Sequence, residues 1–150
     1  MTNKEFEILM NLNKSFVKNS ITLPANAENE TFEIKSLSTK DKFFLDVDRR
    51  GRLELSKFKL QNRYAKTKQP LVRIDIDSPP HINPDGTKKS RNHIHVFRET
   101  DNDTGNLPWA YDLEEFTEIN FNMDDLNFTQ VFFDFCAYCN IKTDGIQGII

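Results

Sequence analysis

All three histidines of the chain, His81, His93 and His95, fall within fifteen residues. Imidazole titrates near neutral pH and is the commonest metal ligand. His93 and His95 are two apart, so on a strand both side chains leave the same face. Two chemistries follow. Three imidazoles, or two and a carboxylate such as Asp85, would hold a zinc ion with an open position, neighbouring aspartates fixing the tautomers. Alternatively, His81, His93 and His95 would act as general acid and base on RNA, with Arg73 or Arg98 neutralising the phosphate. The plain alternative is a polar strand face satisfied by Asp75. Cys136 and Cys139, three apart, would share one side of a helix. With His93 and His95 they would close a tetrahedral Cys2His2 site. They sit among phenylalanines, however, and free cysteine packs as a small buried hydrophobe.

The histidines need strands to hold them. Leu71–Asp77 alternates, with Val72, Ile74 and Ile76 on one face and Leu71, Arg73, Asp75 and Asp77 on the other. Asn92–Arg98 does the same, with Ile94 and Val96 against His93, His95 and Phe97. The turn-rich connector 78–91 lies between, so an antiparallel hairpin is expected. It would put the imidazoles beside Arg73, Asp75 and Asp77, with His81 folded over that face. The connector is long for a hairpin and reads as a functional loop.

Around this hairpin the period of two recurs at Phe32, Ile34 and Leu37, at Phe43, Leu45 and Val47, and at Leu53, Leu55 and Phe58. Thr2 with Glu5 forms a capping-box pattern for a first helix carrying Phe6, Leu9, Met10, Phe16 and Val17 and ending near Asn19. A last helix is expected from about Asp124 to Cys139, with Asn140 as its cap. The predicted class is α+β: one domain over 1–150, with an antiparallel sheet of about five strands flanked by an N-terminal and a C-terminal helix.

Charge divides the chain. Residues 1–98 hold nineteen Lys and Arg against twelve Asp and Glu, a balance of +7; residues 99–150 hold one base against eleven acids, a balance of −10. Arg49, Arg50, Arg52, Lys57, Lys59, Arg63, Lys66 and Lys68, with Phe58 and Tyr64 among them, would suit single-stranded RNA or simply a solvated sheet edge. Trp109, Tyr111, Asp112, Glu114, Glu115 and Glu118 would form an acidic, aromatic patch for a basic protein surface. The composition, 37% hydrophobic and 29% charged over 150 residues, is that of a soluble globular chain. No apolar run is long enough to span a membrane. Two cysteines and a polar N-terminus make a reducing, cytoplasmic setting the expectation. No Walker, GxGxxG, GxSxG or HExxH motif occurs.

The stretches VRIDIDSPPHINPDG (72–86), NHIHVFRET (92–100) and WAYDL (109–113) resemble a family of small uncharacterised proteins of Firmicutes, their phages and mobile elements, catalogued as a domain of unknown function. LDVDRRGR (45–52), QNRY (61–64) and CNI (139–141) fit the same pattern, so the resemblance covers most of residues 40–141. It carries Pro80, His81, Asn83, Pro84, Asp85, Gly86, His93, His95, Arg98, Glu99 and Trp109. Cys136 is not part of the pattern, which weakens a family-wide Cys2His2 site. Asn92 stands in place of a proline, and Asp101–Gly105 in place of a short glycine turn. The resemblance implies no activity, only a context of phage and mobile-element accessory proteins. The expected function is therefore an inhibitor that binds a basic, nucleic-acid-binding host defence protein such as a CRISPR nuclease, with one metal ion expected to stabilise its fold. The alternative is an RNA-cleaving toxin built on the histidines.

Overall fold

The computed structural model describes residues 1–51, 56–100 and 105–149, with side chains as far as residue 147. The elements in chain order begin with helix α1 (Asn3–Asn11) and strands β1 (Lys14–Phe16), β2 (Ile21–Leu23), β3 (Asn29–Ser36), β4 (Lys42–Asp48), β5 (Phe58–Tyr64) and β6 (Pro70–Ile76). They continue with β7 (His81–Ile82), β8 (Lys88–Lys89), β9 (His93–Val96), β10 (Ala110–Asp112), helix α2 (Phe128–Tyr138), β11 (Ile141–Lys142) and β12 (Ile146–Ile149). A single 3-10 turn, Leu113–Glu115, follows β10.

Alternating apolar side chains build one face of the main sheet. Cross-strand partners point to the same side, so the register identifies that face. Phe32 faces Leu45, Val47 faces Leu60, Leu60 faces Ile74, and Ile74 faces Ile94. All are buried. Helix α2 lies over this face, with Phe128 edge-on to Phe58 at 5.2 Å and Phe132 and Phe135 fully buried. Burying side chains of this size contributes roughly 2–3 kcal/mol each. Among the described residues, no helix is long and apolar enough to cross a membrane.

The α+β class and the two helices are as expected, but the sheet is larger. Eight strands run in the order β10-β9-β6-β5-β4-β3-β1-β11, antiparallel except for the β1–β11 pair. The pairs β2–β12 and β7–β8 stand apart from it. The added strands of the main sheet, β1, β10 and β11, are two or three residues long, too short for a period of two to show. Of the strand expected over Leu53, Leu55 and Phe58, Phe58 opens β5, which runs on to Tyr64. Leu53 and Leu55, like Arg52, lie outside the described residues. Asn62, buried at an inward position of β5, broke the apolar pattern there.

The first helix also ends earlier than expected. Thr2 caps it by accepting from the Glu5 N–H at 3.0 Å. Leu12 turns extended, and Phe16 belongs to β1, where it packs edge-on against Phe32 at 5.7 Å. Lys14 explains the stop. Its ammonium is fully buried and donates to the carbonyls of Met10 (3.1 Å), Leu12 (2.9 Å) and Cys139 (2.8 Å). One cation thus satisfies carbonyls at the C-terminal ends of both helices, where the helix dipole favours positive charge. Helix α2 starts later than expected, at Phe128, because Asn127 accepts from the Gln130 N–H at 2.9 Å. Asn140 follows its last turn in the left-handed region (φ 58°), a conformation asparagine tolerates.

Candidate metal centre

Strands β6 and β9 pair antiparallel with Arg73 opposite His95 and Asp75 opposite His93. The hairpin inferred from alternation is therefore present, and the four polar side chains share the face away from α2. Asp75, His93 and His95 are all buried, the two histidines to 1% exposure. Asp75 Oδ2 lies 3.3 Å from His93 Nε2 and 3.4 Å from His95 Nε2, and one donor atom from each residue falls within 4.8 Å of the others.

The far side of each ring sets its tautomer. His93 Nδ1 meets the Ser90 carbonyl at 2.6 Å, and His95 Nδ1 meets the Leu107 carbonyl at 2.8 Å. A carbonyl only accepts, so both Nδ1 atoms carry the proton. In the neutral rings each Nε2 is then a lone pair turned toward the Asp75 carboxylate. Metal-ligating histidines are held in this way. Tetrahedral zinc with bonds of about 2.0–2.1 Å separates its ligand atoms by about 3.3 Å. The two Asp75 distances match that spacing, so the donor set fits a divalent ion: Asp75, His93 and His95 could hold one.

Arg73 completes the cluster. Its Nε donates to Asp75 Oδ1 at 2.8 Å, and its Nη2 reaches Asp75 Oδ2 at 3.2 Å and His95 Nε2 at 3.0 Å. Burial alone would raise the Asp75 carboxyl. The imidazoles, whenever their Nε2 atoms carry a proton to donate, and the Arg73 guanidinium outweigh it and hold the group well below the ordinary carboxylate range. Burial pushes His95 down, helped by the Arg73 charge and opposed by Asp75.

The connector supplies a wall. β7 and β8 pair across a turn in which the Gly86 N–H donates to the Asn83 carbonyl, and Gly86 takes φ +87°, a value that favours glycine. Asn83, buried beneath, exchanges two hydrogen bonds of 2.9 Å with the backbone of Ala110. This clamps the connector to β10 and swings half-buried His81 over the cluster. The His81 ring stands edge-on to His95 at 4.6 Å and lies 5.9 Å from His93. His81 Nε2 meets the Pro108 carbonyl at 2.7 Å, which leaves Nδ1 as its lone pair.

The residues read from the sequence therefore part company. His81, His93, His95 and Arg73 come together, with Asp75 placed to be a ligand itself rather than a neighbour fixing the tautomers. Asp85 is not among them. It is exposed at the tip of the connector, where it accepts from the Thr87 N–H at 2.9 Å. The Cys2His2 arrangement is not built either. Cys136 and Cys139 are buried in the core cluster that includes Val72, on the α2 face. The sheet itself separates the thiols from His93 and His95. Arg98 is exposed and stacks on Trp109 at 4.1 Å, away from the imidazoles. Asn83 was in the sequence pattern without a role; its signal was a buried amide inside a polar turn.

The acidic segment divides as well. Asp112 accepts from the Ser90 N–H at 2.7 Å, and Glu115 pairs with Lys89 at 2.7 Å while also accepting from the Asp112 N–H. Both are used to hold the connector. Tyr111 packs on Phe116 at 6.0 Å. Glu114 and Glu118 are exposed. Glu114 edges a groove of about 550 Å³ with Leu113, Phe116, Ile119, Phe121 and Met123.

A mostly antiparallel sheet bearing a buried carboxylate–imidazole donor set on one face and a helix on the other defines the class of protein. The chain belongs to a family of unknown function, DUF6978, whose family model matches residues 1–141. No curated protein and no solved structure matches it.

Proposed function

We propose that this protein acts by occupancy: an accessory protein of a phage or mobile element that binds a basic, nucleic-acid-binding host defence protein, such as a CRISPR nuclease. A single zinc ion on Asp75, His93 and His95 staples β6 to β9. The observation that carries the choice of binding over catalysis is the 1% exposure of His93 and His95. General acid–base catalysis needs the group within hydrogen-bond reach of the scissile phosphate. Imidazoles enclosed by Arg73, Ser90 and Leu107 serve a buried ion better than a polymeric substrate. The exposed carboxylates of Glu114 and Glu118, with the groove beside Glu114 mixing polar Thr117 and Asn120 with apolar Phe116 and Met123, supply the charge and part of the contact area that a basic protein surface needs.

The test is direct. Purified protein is added to a purified RNA-guided DNA nuclease and DNA cleavage is followed, with RNA incubated in parallel. Inhibition that Glu114→Lys with Glu118→Lys abolishes, and that His95→Gln leaves intact once folding is verified, supports the reading. RNA cleavage by the wild type, lost in His95→Gln, overturns it in favour of a toxin.

A further inference from the structure

An imidazole nitrogen has one lone pair, in the ring plane. At His95 that lone pair is already used, because Nδ1 donates to Leu107 and Nε2 accepts from Arg73 Nη2 at 3.0 Å. The same guanidinium also covers both oxygens of Asp75. A metal ion therefore cannot be added to this arrangement; it must replace part of it. We propose that Arg73 is a built-in competitor for the metal, a guanidinium that neutralises the donor set until an ion displaces it. This inference rests on the metal reading above and concerns how that site is regulated.

Two further features fit. Arg73 is half-buried, its side chain 32% exposed against 5% for Asp75, so it sits at the mouth of the cluster with a route outward. That route is a polar groove of about 340 Å³ on the same sheet face, lined by Arg73 with Glu30, Asp46, Asp48, Lys59 and Gln61. There Glu30 and water would receive a displaced guanidinium in place of Asp75 and His95, Asp46 and Asp48 being held already by Arg63 and Arg50. Repulsion between a divalent ion and a cation a few ångströms away supplies the push. The exchange would make occupancy depend on free metal concentration in a way that a site without the arginine would not.

The experiment is a zinc titration of the metal-stripped full chain against a chromophoric chelator, for wild type, Arg73→Met and Asp75→Asn, with folding checked by circular dichroism. Arg73→Met is expected to bind zinc at least tenfold more tightly than wild type, and Asp75→Asn at least tenfold more weakly. Equal or weaker binding by folded Arg73→Met, with wild type binding, overturns the competitor and spares the metal site. No binding by either protein overturns both. A second readout needs no substitution. The Arg73 Nη resonances, slowed by two hydrogen bonds at Nη2 and one at Nε, are expected to move to the freely rotating position on saturation with zinc. Arg73 signals unchanged at saturation overturn the inference.

Discussion

Asn83 and Ala110 hold each other by both ends: the Asn83 amide donates to the Ala110 carbonyl and accepts from its N–H, each at 2.9 Å. This pair mimics a strand ladder between the connector and β10. It decides where His81 stands, since β7 is carried on the same turn. Substituting Asn83→Ala strips partners from two backbone groups in a buried place. The expected loss is about 2–4 kcal/mol in urea unfolding, with His81 freed from His95. An unchanged unfolding midpoint would show that the clamp does not hold the connector.

Glu115 and Glu114 are adjacent in sequence and differ in role. Glu115→Lys breaks the pair with Lys89 and the bond to the Asp112 N–H, so it is expected to lower the melting temperature slightly. Glu114→Lys with Glu118→Lys is expected to leave melting unchanged and to weaken partner binding at least tenfold, as like charges meet across the interface. The reverse assignment in parallel melting and binding assays would contradict this.

Lys14 gives the fold a measurable alkaline signature. Burial brings its ammonium from 10.5 down to about 8. Between those values the unfolded chain holds a proton that the folded chain has released, so stability rises with pH. Cys139 works the other way, burial pushing its thiol from 9.0 up to about 12. Above its unfolded value the folded chain keeps a proton the unfolded chain has lost, and stability falls. Lys14 alone would add roughly 1 kcal/mol from pH 8 to 9, and the buried thiols of Cys139 and Cys136 take back more than half, so the unfolding free energy is expected to climb by a few tenths of a kcal/mol and then turn over. Lys14→Met should abolish the climb. A wild-type profile that falls over that interval contradicts the account.

The strands that carry the site were legible because their chemistry is regular. Val72, Ile74 and Ile76 against Arg73 and Asp75 fix both the faces and, with Ile94 between two histidines, the pairing. What stayed hidden depended on distance in sequence. No period shows that the Leu107 and Pro108 carbonyls orient His95 and His81, or that Lys14 joins the ends of two helices. Asp85 looked like a ligand because it sits near His81 in sequence, yet the turn that Gly86 permits points it at Thr87. Cys136 lies in the last helix and Cys139 caps its end, both buried. The spacing could not say on which side of the sheet they would lie.

The central claim is that Asp75, His93 and His95 hold one divalent ion. Equilibrium dialysis of the folded chain against zinc tests it most directly, beside Asp75→Asn, His93→Gln and His95→Gln. About one zinc per wild-type chain is expected, from a single set of tetrahedral donors, with a sharp loss of binding in each variant. Undiminished binding in all three variants, or none in the wild type, would contradict the account.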